Sequence, residues 1–182
     1  MSPRLAILDD YQHVALTSAD WSAVKAQTEI DVFHDTLHSE DELASRLHPY
    51  TIICAMRERT KFPSTLLARL PNLKLLVTTG PHNRSIDLKA ARELGITVSR
   101  TDVMRNVTVE HVWALIMATM RNVIPEHLSM KERNPVWQRS VPQSLKGRTL
   151  GLIGLGWMGT RVAKVSMRTP HQSNNLTFTT IR

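Results

Sequence analysis

A single cysteine, Cys54, is present in 182 residues, so no internal disulfide can form and a disulfide-stapled secreted fold is excluded. It sits in the apolar run 51–55 and reads as a small core residue, which fits a reducing, cytoplasmic setting. No apolar run approaches the ~18 residues needed to cross a bilayer, so no membrane role is expected. The start, Met1-Ser2-Pro3-Arg4, passes directly into the short run 5–8 and then Asp9 and Asp10, which is too short and too acidic at its end for a signal sequence. Acidic residues also run out: none follows Glu132, whereas Lys and Arg continue to Arg182. The net charge of +7 thus reflects a missing acidic complement rather than a dense basic cluster, and nucleic acid is not the expected partner. No His-x-x-x-His pair falls on an expected helix and the lone thiol is apolar in context, so no metal site is expected. No strained turn frames a serine as a nucleophile elbow would, which leaves a hydrolase with little support.

What is present is regular alternation. Short apolar runs at 5–8, 30–33, 51–55, 73–78 and 97–99 read as strands, separated by amphipathic stretches that read as crossover helices. Strands that are apolar throughout are those covered by helices on both faces, so the expected fold is α/β with an open parallel sheet. Ser18 is the expected cap of a helix through Trp21 and Val24, and Ser39 with Glu42 has capping-box spacing. Pro63 suits the first turn of a third helix, and a fourth, 88–94, stops at Gly95. A long apolar helix is expected over 107–123, followed by a polar segment punctuated by Pro125, Pro135 and Pro142. The division is therefore 1–103 as one self-contained unit and 104–182 as a bridging helix with the start of a second.

The second unit carries the chemical signature. Residues 149–153 read as a strand, 154–159 (Gly-Leu-Gly-Trp-Met-Gly) as a turn, and 160–165 as the start of a helix. In that setting each glycine has a use. Gly154 permits the tight turn, Gly156 leaves room for a pyrophosphate, and Gly159 lets helix and strand pack closely. The helix N-terminus adds free N–H groups and partial positive charge for the anion. Gly154, Gly156, Trp157, Met158 and Gly159 are accordingly the expected cofactor-binding residues. The acidic residue expected about 20 positions later, which would hold the ribose hydroxyls of NAD, has no counterpart, and residues 166–182 show no clear second strand, with Pro170 ending any helix early. Arg168 or Arg182 could face a 2′-phosphate, so NAD is expected and NADP stays open.

Together these segments resemble the D-isomer-specific 2-hydroxyacid dehydrogenase family. The likeness is carried by Arg57-Glu58-Arg59-Thr60, by Pro71-Asn72-Leu73-Lys74 with Thr78-Thr79-Gly80 and Asn83 through Ile86-Asp87, by Val107-Thr108-Val109-Glu110-His111, and by Leu145-Lys146-Gly147 with the glycine turn. The resemblance implies a flavodoxin-like substrate domain followed by the first part of a Rossmann dinucleotide-binding domain. It implies NAD-linked hydride transfer to or from a small 2-hydroxy or 2-keto acid. It further implies that Thr79 and Gly80 line the substrate loop, that Arg57 faces an anionic substrate and that Thr108 lies near the nicotinamide. The family's catalytic Arg, Glu and acid/base His come later than Gly159, so no catalytic residue is assigned. The chain then reads as a C-terminally truncated member, and the alternative function is an inactive homologue that binds a small anion or a partner subunit, with homodimerisation through exposed edges. Among substitutes, His82 near the substrate loop is a candidate ligand contact, His111 reads as structural, and His171 lies in an unmatched tail.

Overall fold

The apolar runs become strands because each can bury side chains on both sides of its pleat. The computed structural model describes residues 2–104, 106–167 and 180–181. Five runs form one parallel sheet: β1 (Arg4–Ile7), β2 (Glu29–Val32), β3 (Ile52–Ala55), β4 (Leu75–Thr78) and β5 (Thr97–Arg100). Their order is β2-β1-β3-β4-β5, the flavodoxin-like arrangement, as the α/β expectation required. Four helices connect them: α1 (Ser22–Lys25), α2 (Glu40–Leu47), α3 (Ser64–Leu67) and α4 (Leu88–Glu93). The path steps one way from β1 to β2 and the other way from β2 onward. Right-handed crossovers therefore set α1 on one face and the other three helices on the opposite one.

Packing follows that asymmetry. Ala6, Ile53, Ala55 and Leu76 form one buried cluster with Leu43, Ala44 and Leu47 of α2, Leu66 and Leu67 of α3, and Ala91 of α4. On the opposite pleat Ile52, Cys54, Leu75 and Val77 are only half-buried, and α1 buries none of its residues. Full cover on both faces was expected. A helix of four residues is too short to supply it.

Local signals met the fold unevenly. Ser39 caps α2, its hydroxyl accepting from the Glu42 N–H at 3.5 Å, but the return bond that would complete a capping box is not formed. Asp87 caps α4, accepting from the Ala90 N–H at 2.9 Å. Ser18 does not cap α1. Its hydroxyl donates back to the Val14 carbonyl at 2.7 Å, the local competition that short polar side chains offer, and the helix begins four residues later.

The chain divides into two compact units, Met1–Val103 and Met104–Arg182. The second contains α5 (Asn106–Met120), α6 (Val123–Lys131), β6 (Leu152–Ile153), α7 (Trp157–Met167) and β7 (Thr180–Ile181). The helix expected over 107–123 is α5, which ends at Met120, and a further helix, α6, follows where a polar segment was expected, with Asn122 between them left-handed at φ 52°. Pro125 does not punctuate a loop. It stands in the first turn of α6, where a missing N–H leaves no carbonyl without a partner. Helix α7 starts at Trp157 rather than Thr160, its first bond running from the Thr160 N–H to the Gly156 carbonyl at 3.0 Å. A second strand exists after all: β7 pairs in parallel with β6, Leu152 opposite Thr180 and Ile153 opposite Ile181. Two residues held by a long-range ladder are too few to show as an apolar run. Pro170, Arg168, His171 and Arg182 lie outside the described residues.

Candidate functional site

Loops leaving the carboxyl ends of parallel strands are where open α/β sheets bind ligands, above all where neighbouring connections run in opposite directions. In this sheet that point lies between β1 and β3. Asp9, at the end of β1, is 1% exposed and holds a left-handed φ of 60°. Its carboxylate accepts the hydroxyls of Thr60, at 2.8 Å, and of Thr36, and its carbonyl accepts Arg59 Nη1 at 2.6 Å. Arg59 also lies over the Tyr11 ring, 4.4 Å from its centroid. Asp10 is 3% exposed and accepts the Val14 and Ala15 N–H groups at 3.0 and 3.1 Å. Burial pushes its carboxyl upward, but those two donors with His34 and His13 outweigh burial and hold it below its ordinary value. His34 stacks on His13 with ring centroids 3.8 Å apart. Asp9 and Asp10 carried no weight in the sequence beyond ending an apolar run. Their place at the end of the first strand of a parallel sheet is the signal that points to them.

The switch point is thus filled by the chain's own polar groups, and the open chemistry lies one strand over. The Arg57-Glu58-Arg59-Thr60 element divides in two. Arg59 and Thr60 turn toward Asp9, whereas Arg57 turns away. Arg57 takes a left-handed φ of 52°, its N–H donating to Thr79 Oγ1 at 3.1 Å and its carbonyl accepting from Asn83 Nδ2 at 2.6 Å. Its guanidinium rests on Gly80, where a Cβ would stand 2.2 Å from Arg57 Nη1. Gly80 itself has φ 94° and donates its N–H to Thr101 Oγ1 at 2.8 Å. Arg57, Thr79 and Gly80 therefore meet at the ends of β3 and β4. The Arg57 guanidinium has no hydrogen-bond or ion-pair partner among the described residues. His82 is exposed on the same loop, and His111 is exposed on α5 rather than packed.

In the second unit Gly154 has φ 85°, which a side chain would resist. A Cβ on Gly159 would lie 2.3 Å from the Gly154 carbonyl oxygen, whereas one on Gly156 would meet nothing within 4 Å. The tight turn, the close helix–strand approach and the open space are the three properties a pyrophosphate needs, so the residues present fit a dinucleotide. Trp157 lies beneath Arg161, whose guanidinium carbon is 3.6 Å from the ring centroid, and Met158 is 51% exposed. Thr108 is exposed on α5, with no hydrogen bond to the glycine turn. Among the described residues no three His, Cys, Asp or Glu side chains are grouped to hold a metal ion, and no helix is long and apolar enough to cross a membrane.

A flavodoxin-like parallel sheet followed by a strand, a glycine turn and a helix defines an α/β protein of the dehydrogenase type. More particularly, the chain belongs to the D-isomer specific 2-hydroxyacid dehydrogenase family, a family of NAD(P)-dependent oxidoreductases, whose catalytic-domain description matches residues 6–178. It is 33% identical over 129 residues to the D-3-phosphoglycerate dehydrogenase of Archaeoglobus fulgidus, covering 69% of this chain and 24% of that protein. It is 31% identical over 130 residues to the hydroxypyruvate reductase of Thermotoga maritima, covering 70% and 42%. The crystal structure of a phosphoglycerate oxidoreductase from Vibrio cholerae superposes with a TM-score of 0.80 at 34% identity, over 91% of this chain and 53% of the other. The chain spans at most about half the length of these relatives.

Proposed function

We propose that this chain serves NAD-linked hydride transfer between nicotinamide and a small 2-hydroxy or 2-keto acid. Residues 1–103 form the substrate domain in this reading, and 104–182 form the bridging helix and the first part of the cofactor-binding domain. Gly154, Gly156, Trp157, Met158 and Gly159 meet the pyrophosphate, with Thr108 toward the nicotinamide, and NADP is the competing cofactor. Arg57, Thr79 and Gly80 receive the acid. The nicotinamide, when bound, supplies the hydride donor or acceptor. The chain's own contribution is to bind and orient: the N-terminus of α7 faces the phosphates, and the Arg57 guanidinium offers paired donors to a carboxylate. One cysteine and a reducing, cytoplasmic setting agree with this chemistry.

The observation that carries the reading is the glycine turn, with Gly159 drawn under the Gly154 carbonyl and Gly156 left open. Calorimetric titration of the purified chain with NADH, followed by an NADH-oxidation assay with glyoxylate, tests it. Saturable NADH binding is the expected result, and its absence overturns the reading. A second reading, a chain that binds a small anion or a partner subunit without turnover, is favoured by the exposed apolar side chains Leu115, Met117, Ile124 and Leu128 on α5 and α6. Binding of NADH and acid without oxidation of NADH selects it.

A further inference from the structure

The turn that carries Arg57 is held from two sides. Toward β1, Arg59 and Thr60 are tied to Asp9. Toward β4, Asn83 joins three groups: Nδ2 donates to the Arg57 carbonyl at 2.6 Å and to Thr78 Oγ1 at 2.9 Å, while Oδ1 accepts the Ser85 N–H at 2.9 Å. One amide thus links the end of β3, the end of β4 and the loop between β4 and α4. Its grip falls on a residue that needs one, because a left-handed backbone is unfavourable to a side chain with a Cβ unless its surroundings hold it there.

We propose that Asn83 is a positioning residue for recognition of the acid. By holding the Arg57 carbonyl it keeps residue 57 left-handed, and that backbone lays the guanidinium on Gly80 instead of letting it swing into solvent. This rests on the reading of Arg57, Thr79 and Gly80 as the acid-binding group. Asn83 acts through Arg57, since its own amide is spent on Arg57, Thr78 and Ser85. Without the amide, residue 57 relaxes to a right-handed or extended backbone while Arg59 and Thr60 keep the remainder of the turn on Asp9. The loss is then one of aim, with the fold kept.

The test is an NMR titration of the full 182-residue chain with glyoxylate, run on the wild type, Asn83→Ala, Arg57→Gln and the double variant. Each single variant is expected to bind about tenfold more weakly, the loss typical of one charge-assisted hydrogen bond, and each is expected to melt cooperatively. The double variant is expected to bind no more weakly than Arg57→Gln alone, because a residue that acts only through Arg57 has nothing left to aim. Losses that add in the double variant overturn the proposal, as does unchanged affinity in Asn83→Ala while Arg57→Gln loses its own. If Asn83→Ala does not fold, Asn83→Thr keeps a local acceptor for the Ser85 N–H but cannot reach the Arg57 carbonyl, and the same outcomes apply. A wild-type chain that does not bind glyoxylate overturns the acid-binding reading itself, and this inference with it.

Discussion

At position 9 the backbone turns left-handed without a glycine, and hydrogen bonding explains why it stays there. Two threonine hydroxyls reach the Asp9 carboxylate and an arginine reaches its carbonyl, so the unfavourable φ is held from three directions. Asp9→Ala strips the acceptor from a buried Thr60 hydroxyl. A loss of about 2 to 3 kcal/mol, read as a lower urea midpoint, is expected from that unpaired group. An unchanged midpoint would show that the threonines find other partners. The glycines offer a sharper contrast. Gly159→Ala forces a Cβ to 2.3 Å from the Gly154 oxygen, a backbone atom with no freedom to withdraw, whereas Gly151→Ala adds a methyl to open space. NADH affinity is expected to fall at least about tenfold in the first and to hold in the second. Equal affinities in the two would remove the glycine turn as the cofactor site.

Among the elements, those whose start is set by a neighbouring side chain were legible, and those set by distant contacts were not. The β1 to β5 runs appear as apolar stretches because buried parallel strands need no polar face. The expected start of α4 at Leu88 is met, and the Asp87 cap that fixes it there reaches only three residues forward. Asp87→Ala is expected to cost about 1 kcal/mol of stability by thermal melting, and Asp87→Ser to recover most of it. Strand β7 is set by a distant contact, since it exists through its register with β6. Helix α7 starts earlier than expected for a local reason, because the glycine turn itself supplies its first turn through the bond from Thr160 to Gly156. The break between α5 and α6 depends on one left-handed asparagine, Asn122, whose side chain donates to Ser140 at 2.9 Å. That bond spans eighteen residues, beyond the reach of local pattern.

For the whole molecule, the titrating groups set the pH range of stability. Burial raises the Cys54 thiol from its ordinary 9.0 to about 11. Burial, with the hydrogen bond to Asp31, raises the Tyr50 phenol from 10.0 to about 12. Both groups are therefore protonated in the fold at pH values where the unfolded chain has released its protons. Their stabilising effect is complete below the unfolded values and is lost as the pH rises through the folded ones. Stability should fall from about pH 9 upward, and Cys54→Ala should remove roughly 2 to 3 kcal/mol of the fall between 9 and 11 in urea titrations at stepped pH. A variant with the same alkaline slope as wild type would refute this. On the acid side, Asp35 is lowered by its bond to Arg46, and Asp10 is lowered by the Val14 and Ala15 N–H groups with His34 and His13 against the upward push of burial. Their contribution is present above the unfolded carboxylate value and disappears as the pH falls through their own lower values.

Composition and order along the chain determined the α/β class, the parallel sheet, the family resemblance and the place of the glycine turn, because each is written in residues that are neighbours or nearly so. Tertiary structure alone decided how the site is built. It turned Arg59 and Thr60 inward to Asp9, left Arg57 outward on Gly80, and set Asn83 against the Arg57 carbonyl, since these contacts join the ends of strands 22 to 51 residues apart. It also decided that one face of the sheet is deeply covered and the other only partly. Of the four connecting helices, the reversal of direction after β2 sets α1, four residues long, on one face and the other three on the opposite one.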